Sequence, residues 1–109
     1  MIVRVSEALV HPDALVAFMT ALDELVADFP GRFPGLLAHE VLVDLEDPHR
    51  VQYVSRWRDE DALVDFAGAA WRTAPVTFPG EDAMLVRPLT LRHFIAAPDI
   101  ARDQGKLAQ

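Results

Sequence analysis

The side chains best suited to chemistry in this 109-residue sequence are its four histidines, one tyrosine, two tryptophans and a few arginines placed among apolar neighbours. His39 alternates with Leu37, Val41 and Val43, so a strand puts it on an apolar face. There it is either a satisfied core residue or, beside a cavity, the best general base in the chain, because imidazole titrates near neutral pH. His93, near the end of a last strand, is the reserve base, while His11 and His49 occupy turns. Arg87 shares the alternation of Leu85, Leu89 and Leu91. A cation among leucines reaches the surface along its stem, pairs with an anion at a surface or interface, or stabilises an oxyanion in a pocket. Tyr53 and Ser55 share one strand face with Trp57. The Tyr53 hydroxyl can donate to a ligand oxygen or complete a core or interface. Trp71 ends the apolar stripe Leu63-Phe66-Ala67-Ala70 and is either core or an aromatic wall. The loop Thr73 to Gly80 follows it, either an ordinary connector or a lid with Phe78 covering a site.

Other chemistries find no support. There is no cysteine, which excludes disulfides, thiolate metal sites and thiol nucleophiles. Asp59-Glu60-Asp61 is better explained as the acidic start of a helix than as a metal site. Neither a glycine-rich phosphate loop nor a serine nucleophile elbow is present. A net charge of −7 and a pI near 4.8 argue against nucleic acid as the main partner. No apolar run is long enough for a bilayer, so no membrane partner is expected. Met1-Ile2-Val3-Arg4-Val5 lacks a signal-peptide core, so a cytoplasmic location is expected.

Elements that position these residues follow from periodicity. Residues 2–10 read as a first strand, rich in β-branched side chains. Pro12 and Asp13 suit a helix start, and Leu15, Phe18, Met19, Leu22, Val26 and Phe29 form one helical stripe that Pro30-Gly31 stops. Pro34-Gly35 turns into a second strand over Leu37 to Asp44, and Glu46 to His49 makes a hairpin turn. A third strand covers Arg50 to Trp57. Asp59 caps a second helix carrying Leu63, Phe66, Ala67, Ala70 and Trp71. The last strand is expected from about Met84 to Phe94, at an edge or bulged because Pro88 cannot donate a ladder hydrogen bond. The expected organisation is one domain over residues 1–94 and a polar tail over 95–109.

The order β-α-β-β-α-β at this length predicts a ferredoxin-like α+β fold, an antiparallel sheet with both helices on one face. The other face is then bare. Read as wide and apolar, it calls for a second copy packed sheet to sheet, a homodimer forming a dimeric α+β barrel. Any ligand cavity would lie within each subunit, between sheet and helices.

The corner Trp57-Arg58-Asp59-Glu60-Asp61-Ala62-Leu63, a strand ending in tryptophan and running straight into an acidic helix start, resembles the antibiotic biosynthesis monooxygenase family, as does the turn Pro34-Gly35-Leu36. The resemblance spans roughly residues 2–94 and implies oxygenation of small aromatic, quinol or polyketide-derived substrates by O₂, with no flavin, haem or metal cofactor. Such chemistry asks for a flat pocket, a base and a group that stabilises an anion. In that frame Trp57 matches the family's pocket tryptophan, with packing of the strand–helix corner as the alternative. Trp57 and Trp71 would hold the substrate, with Tyr53, Ser55 and Phe78 around it. His39 would be the base and Arg87 the charge-stabilising group. Haem-degrading relatives use an Asn in strand one and a His on the second helix. This sequence has no Asn and no His near Trp71, so it departs from them. A polyketide cyclase or lactone isomerase on the same fold, and a non-catalytic ligand-binding dimer, are the alternative readings.

Overall fold

The structure, a computed structural model, describes residues 1–97. Four strands, β1 (Ile2–Leu9), β2 (Leu36–Val43), β3 (Arg50–Trp57) and β4 (Thr90–Ile95), form one antiparallel sheet in the order β2-β3-β1-β4. Between β1 and β2 lie a short 3-10 turn (Pro12–Ala14), helix α1 (Leu15–Val26) and a single-turn helix α2 (Phe29–Arg32). Helix α3 (Glu60–Ala67) follows β3, and a one-turn helix α4 (Glu81–Met84) precedes β4. This is the ferredoxin-like α+β arrangement. Among the described residues, no helix is long and apolar enough to cross a membrane.

Alternation sorts the strands into two faces. Arg4, Ser6, Ala8, Val51, Tyr53, Ser55, Trp57, Leu91 and His93 point to the helices, as the pairings Arg4↔Ser55, Arg4↔His93 and Ser6↔Tyr53 require. One core cluster packs Phe18, Leu22 and Val26 of α1 and Phe29 of α2 on Ala8 and Val51. A second sets Ala62 and Leu63 of α3 against Trp57 and Trp71.

Caps and turns follow local chemistry. The Asp59 Oδ1 accepts the Ala62 N–H at 2.9 Å, and that bond, aided by Arg58, holds its carboxyl below the usual range. Gly68, at φ 87°, ends α3 in a conformation side chains avoid, and its N–H donates to the Val64 carbonyl at 2.8 Å. Gly35 is required for space. A Cβ there would collide with that of Ala62, so only glycine lets the start of β2 lie against α3. The Arg58 N–H closes the corner by donating to the Gly35 carbonyl at 2.8 Å.

Five expectations change. The second expected helix, α3, ends at Ala67, so Ala70 and Trp71 lie past it in the turn after Gly68. Pro30 does not stop the long helix, which ends at Val26. It sits instead in the first turn of α2, where its missing N–H costs nothing. A register irregularity between Leu36 and Ala38 pairs Leu36 with Trp57 and leaves Leu37 55% exposed, so Leu36 takes the core position. The last strand begins at Thr90, not Met84. Leu85 makes only an isolated bridge to Val10, and the chain bends away around Pro88, which has no N–H to donate. Its edge position agrees with expectation. The outer sheet face is mixed, with Val3, Val5, Val54, Leu42 and Phe94 interleaved with Glu7, Glu40, Gln52, Arg56 and Arg92. The expected tail falls almost wholly outside the described residues.

Candidate functional site

A cavity of about 30 Å³ lies between the sheet and α1. Its apolar lining includes Phe18, Leu22, Phe29, Val51, Phe66 and Leu91. Arg4, Ser6, Tyr53 and Glu81 add the polar lining, and Val76 and Leu89 reach it from segments outside the helices and strands. The volume admits a water or two, not an aromatic ring system. A larger ligand therefore requires lining side chains to move outward.

Arg4 is the least expected member. It sits mid-strand in β1, 3% exposed. Its Nη1 donates to the Trp71 carbonyl and its Nη2 to the Ala74 carbonyl, each at 2.7 Å. Nη1 also lies 3.1 Å from His93 Nε2. Arginine can only donate, so Nε2 is the bare nitrogen and the His93 ring carries its proton on Nδ1. Burial, then the charges of Arg4 and Arg72, hold His93 below the ordinary histidine pKa. Burial alone draws Arg4 down to about 10. Among the described residues no carboxylate forms an ion pair with Arg4.

Glu81, 4% exposed, opens α4. Its Oε1 accepts the Phe78 N–H at 3.2 Å. Burial, with help from Asp82, raises its pKa against the opposing effect of that hydrogen bond. Tyr53 lines the cavity from β3, with its hydroxyl 2.7 Å from His39 Nδ1 on the neighbouring strand and the two rings edge to face. Burial pushes the Tyr53 hydroxyl well above the usual phenol pKa, so it stays protonated.

Apart from Arg87, the remaining sequence candidates lie around this cavity rather than in its lining. Trp57 is wholly buried under the β3–α3 corner, against Phe33, Phe66 and Leu63, and its Nε1–H donates to the Ser55 Oγ at 2.8 Å. Trp71 is buried in the same cluster, edge-on to His93. Phe78 packs on Phe18, which is itself a lining residue. Arg87 lies in the exposed bend before β4, its Nη2 3.3 Å from Glu7 Oε2, the carboxylate that also pairs with Arg50. It is therefore on the far side of the sheet from the cavity. Among the described residues, no group of three or more His, Asp or Glu is placed to hold a metal ion.

The sequence profile of the antibiotic biosynthesis monooxygenase family matches residues 1–74. The chain belongs to this family. No curated protein matches it in sequence. Among solved structures, one described as an antibiotic biosynthesis monooxygenase is 22% identical, with a TM-score of 0.70 over 90% of this chain and 100% of the other. A conserved protein from Methanosarcina mazei Go1 is 20% identical, with a TM-score of 0.69 over 85% and 89%. A variant of SnoaB, a cofactor-independent oxygenase from Streptomyces nogalater, is 21% identical, with a TM-score of 0.65 over 88% and 92%. Identities this low establish a shared fold, and the family membership rests on the profile. Arg4, His39 and Tyr53 fall within the matched residues, whereas Glu81 and His93 lie beyond them.

Sequence reasoning missed Arg4 and Glu81. The alternation Arg4-Ser6-Ala8 against Val3-Val5 held a signal, since small and polar residues on the core-facing side of a strand leave room beneath the helices.

Proposed function

We propose that this protein is a cofactor-independent monooxygenase acting on small electron-rich aromatic or quinol substrates, and that it works as a homodimer. The observation that carries the reading is the Tyr53–His39 pair, a protonated phenol lining an otherwise largely apolar cavity with an imidazole 2.7 Å behind it. With the Tyr53 O–H donating to Nδ1, the phenol oxygen keeps lone pairs for a substrate hydroxyl. A proton then passes from substrate to the Tyr53 oxygen as the Tyr53 proton passes to His39. Half-buried His39 hands it on to solvent. The electron-rich anion left behind gives an electron to O₂, and the two radicals combine in a carbon–oxygen bond. For a ring methylene the peroxide anion takes a proton back from solvent and then loses water. One oxygen atom stays as a carbonyl and the other leaves with both methylene hydrogens, so no external reductant is needed. Dry, apolar surroundings favour these steps by limiting side reactions of the intermediates. Trp57, with Ser55, supports the site by fixing the corner behind Phe66.

Oxygen consumption by purified protein against anthrones and naphthohydroquinones, with and without chelator, tests this reading. Chelator-resistant uptake is expected. Loss of the relay in Tyr53→Phe or His39→Gln is expected to lower kcat by roughly 10²-fold. Substrate turnover under nitrogen with no oxygen uptake would replace this reading with cyclisation or isomerisation.

A further inference from the structure

The most unusual group is a buried cation with no counter-ion among the described residues. Arg4 has five N–H donors. Both on Nη1 are committed, to the Trp71 carbonyl and His93, and one on Nη2 goes to the Ala74 carbonyl. The Nε–H and one Nη2–H have no acceptor among the described residues. Nε and Nη2 form one edge of the planar fork, whose spacing matches the two oxygens of a carboxylate. Since Arg4 is 3% exposed and lines the cavity, that edge is withheld from bulk water. Two carbonyls and the face of the Phe66 ring, its centroid 5.6 Å from the guanidinium carbon, offset part of the cost of this buried charge, and a ligand anion would complete it.

The geometry points to a carboxylate-bearing aromatic as the ligand of this cavity, its carboxylate paired side-on with Arg4 and its flat ring lying among Phe18, Phe29, Phe66 and Leu91. This rests on the cavity assigned above and narrows its substrate class. One carboxylate is all the site can take. Arg4 is the only cation among the lining residues, so a second anion would find no charged partner there. The Arg4 contacts to the Trp71 and Ala74 carbonyls tether the start of the segment that carries Val76 beside the fork.

Isothermal titration of the purified protein with 2-naphthoate and with its neutral, size-matched analogue 2-naphthamide tests the inference. Naphthoate is expected to bind roughly tenfold or more tightly than the amide, the range for charge-assisted hydrogen bonds. Arg4→Met is expected to abolish that preference. Arg4→Lys, which keeps the charge but not the fork, is expected to reduce it and covers the case in which the methionine variant does not fold. Equal affinities, or a preference undiminished in the lysine variant, would overturn the inference. The second outcome would mean that the side-on fork plays no part in the preference. Naphthoate preference without oxygen uptake from any quinol would keep this inference and remove the oxygenase reading. Oxygen uptake from neutral quinols without naphthoate preference would do the reverse.

Discussion

At the scale of single residues, alternation predicted the shared face of Tyr53, Ser55 and Trp57, because a strand has only two sides. What alternation does not carry is depth along the strand. Tyr53 lies mid-strand beneath α1 and meets the cavity, while Trp57, two pairs further on, lies beneath the corner of α3 and is sealed. Arg4 was illegible for a related reason. An arginine near a chain start reads as surface, and only the carbonyls of Trp71 and Ala74, some 70 residues away, make its burial tolerable. Its contact with His93 carries a pH dependence. His93 is held below its unfolded pKa of about 6.5. Stability from this neutral ring is therefore present above that pH and is lost as pH falls through the lowered native value. Glu81 has the opposite sign. Its pKa is raised, so its contribution is present below the ordinary carboxyl range and is lost as pH rises through the native value. Thermal melts from about pH 4 to 8 should separate the two. His93→Gln, which keeps an acceptor for Arg4, should flatten the acid side of the profile, and Glu81→Gln should flatten the other. An unchanged acid limb in His93→Gln would mean that the neutral ring contributes nothing to stability.

At the scale of elements, the order of strands and helices was legible because each element is marked by its own chemistry: β-branched alternation in β1, the apolar stripe of α1, and the Asp59 cap of α3. Boundaries set by backbone detail were not. Nothing in Leu36-Leu37-Ala38 announces the register irregularity, and Met84 to Leu89 is as apolar as a strand while lacking ladder partners beyond the Val10 bridge. The Pro34-Gly35 turn was legible as a turn, but its more demanding role is the close approach to Ala62. Gly35→Ala is expected to cost roughly 1–3 kcal/mol, the usual range for overpacking a tight contact. It should be read from chemical denaturation followed at Trp57, which lies under the same corner. Ala62→Gly in the same chain should recover much of the loss, because the two changes act on one contact. Two additive losses would place the strain elsewhere.

At the scale of the whole molecule, the outer sheet face is where the proposed dimer would form. Its centre is a short apolar strip, with Val5 opposite Val54 and Val3 beside Phe94. Around it Arg50, Arg56, Arg87 and Arg92 stand against Glu7, Glu40 and Asp44, some already in ion pairs. A chain of net charge −7 should repel its own copy, yet this face holds a local excess of arginine, so a second subunit could approach here with less repulsion than elsewhere. The face is thus less apolar than the sequence suggested but better suited electrostatically to self-association, with the exposed Leu42 and Phe94 as the part that gains most from losing water. Wild-type protein is expected to sediment as a dimer, twice the 12.1 kDa chain mass. Val5→Lys adds a like charge beside Arg92, its strand partner on β4, and should shift the protein to monomer while circular dichroism keeps the α+β signature. Raised salt should weaken the variant's self-repulsion and partly restore the dimer. A wild-type monomer would remove the dimer from the proposed function. A Val5→Lys dimer of undiminished affinity would move the interface off this face, leaving the cavity between sheet and helices, and the chemistry assigned to it, untouched.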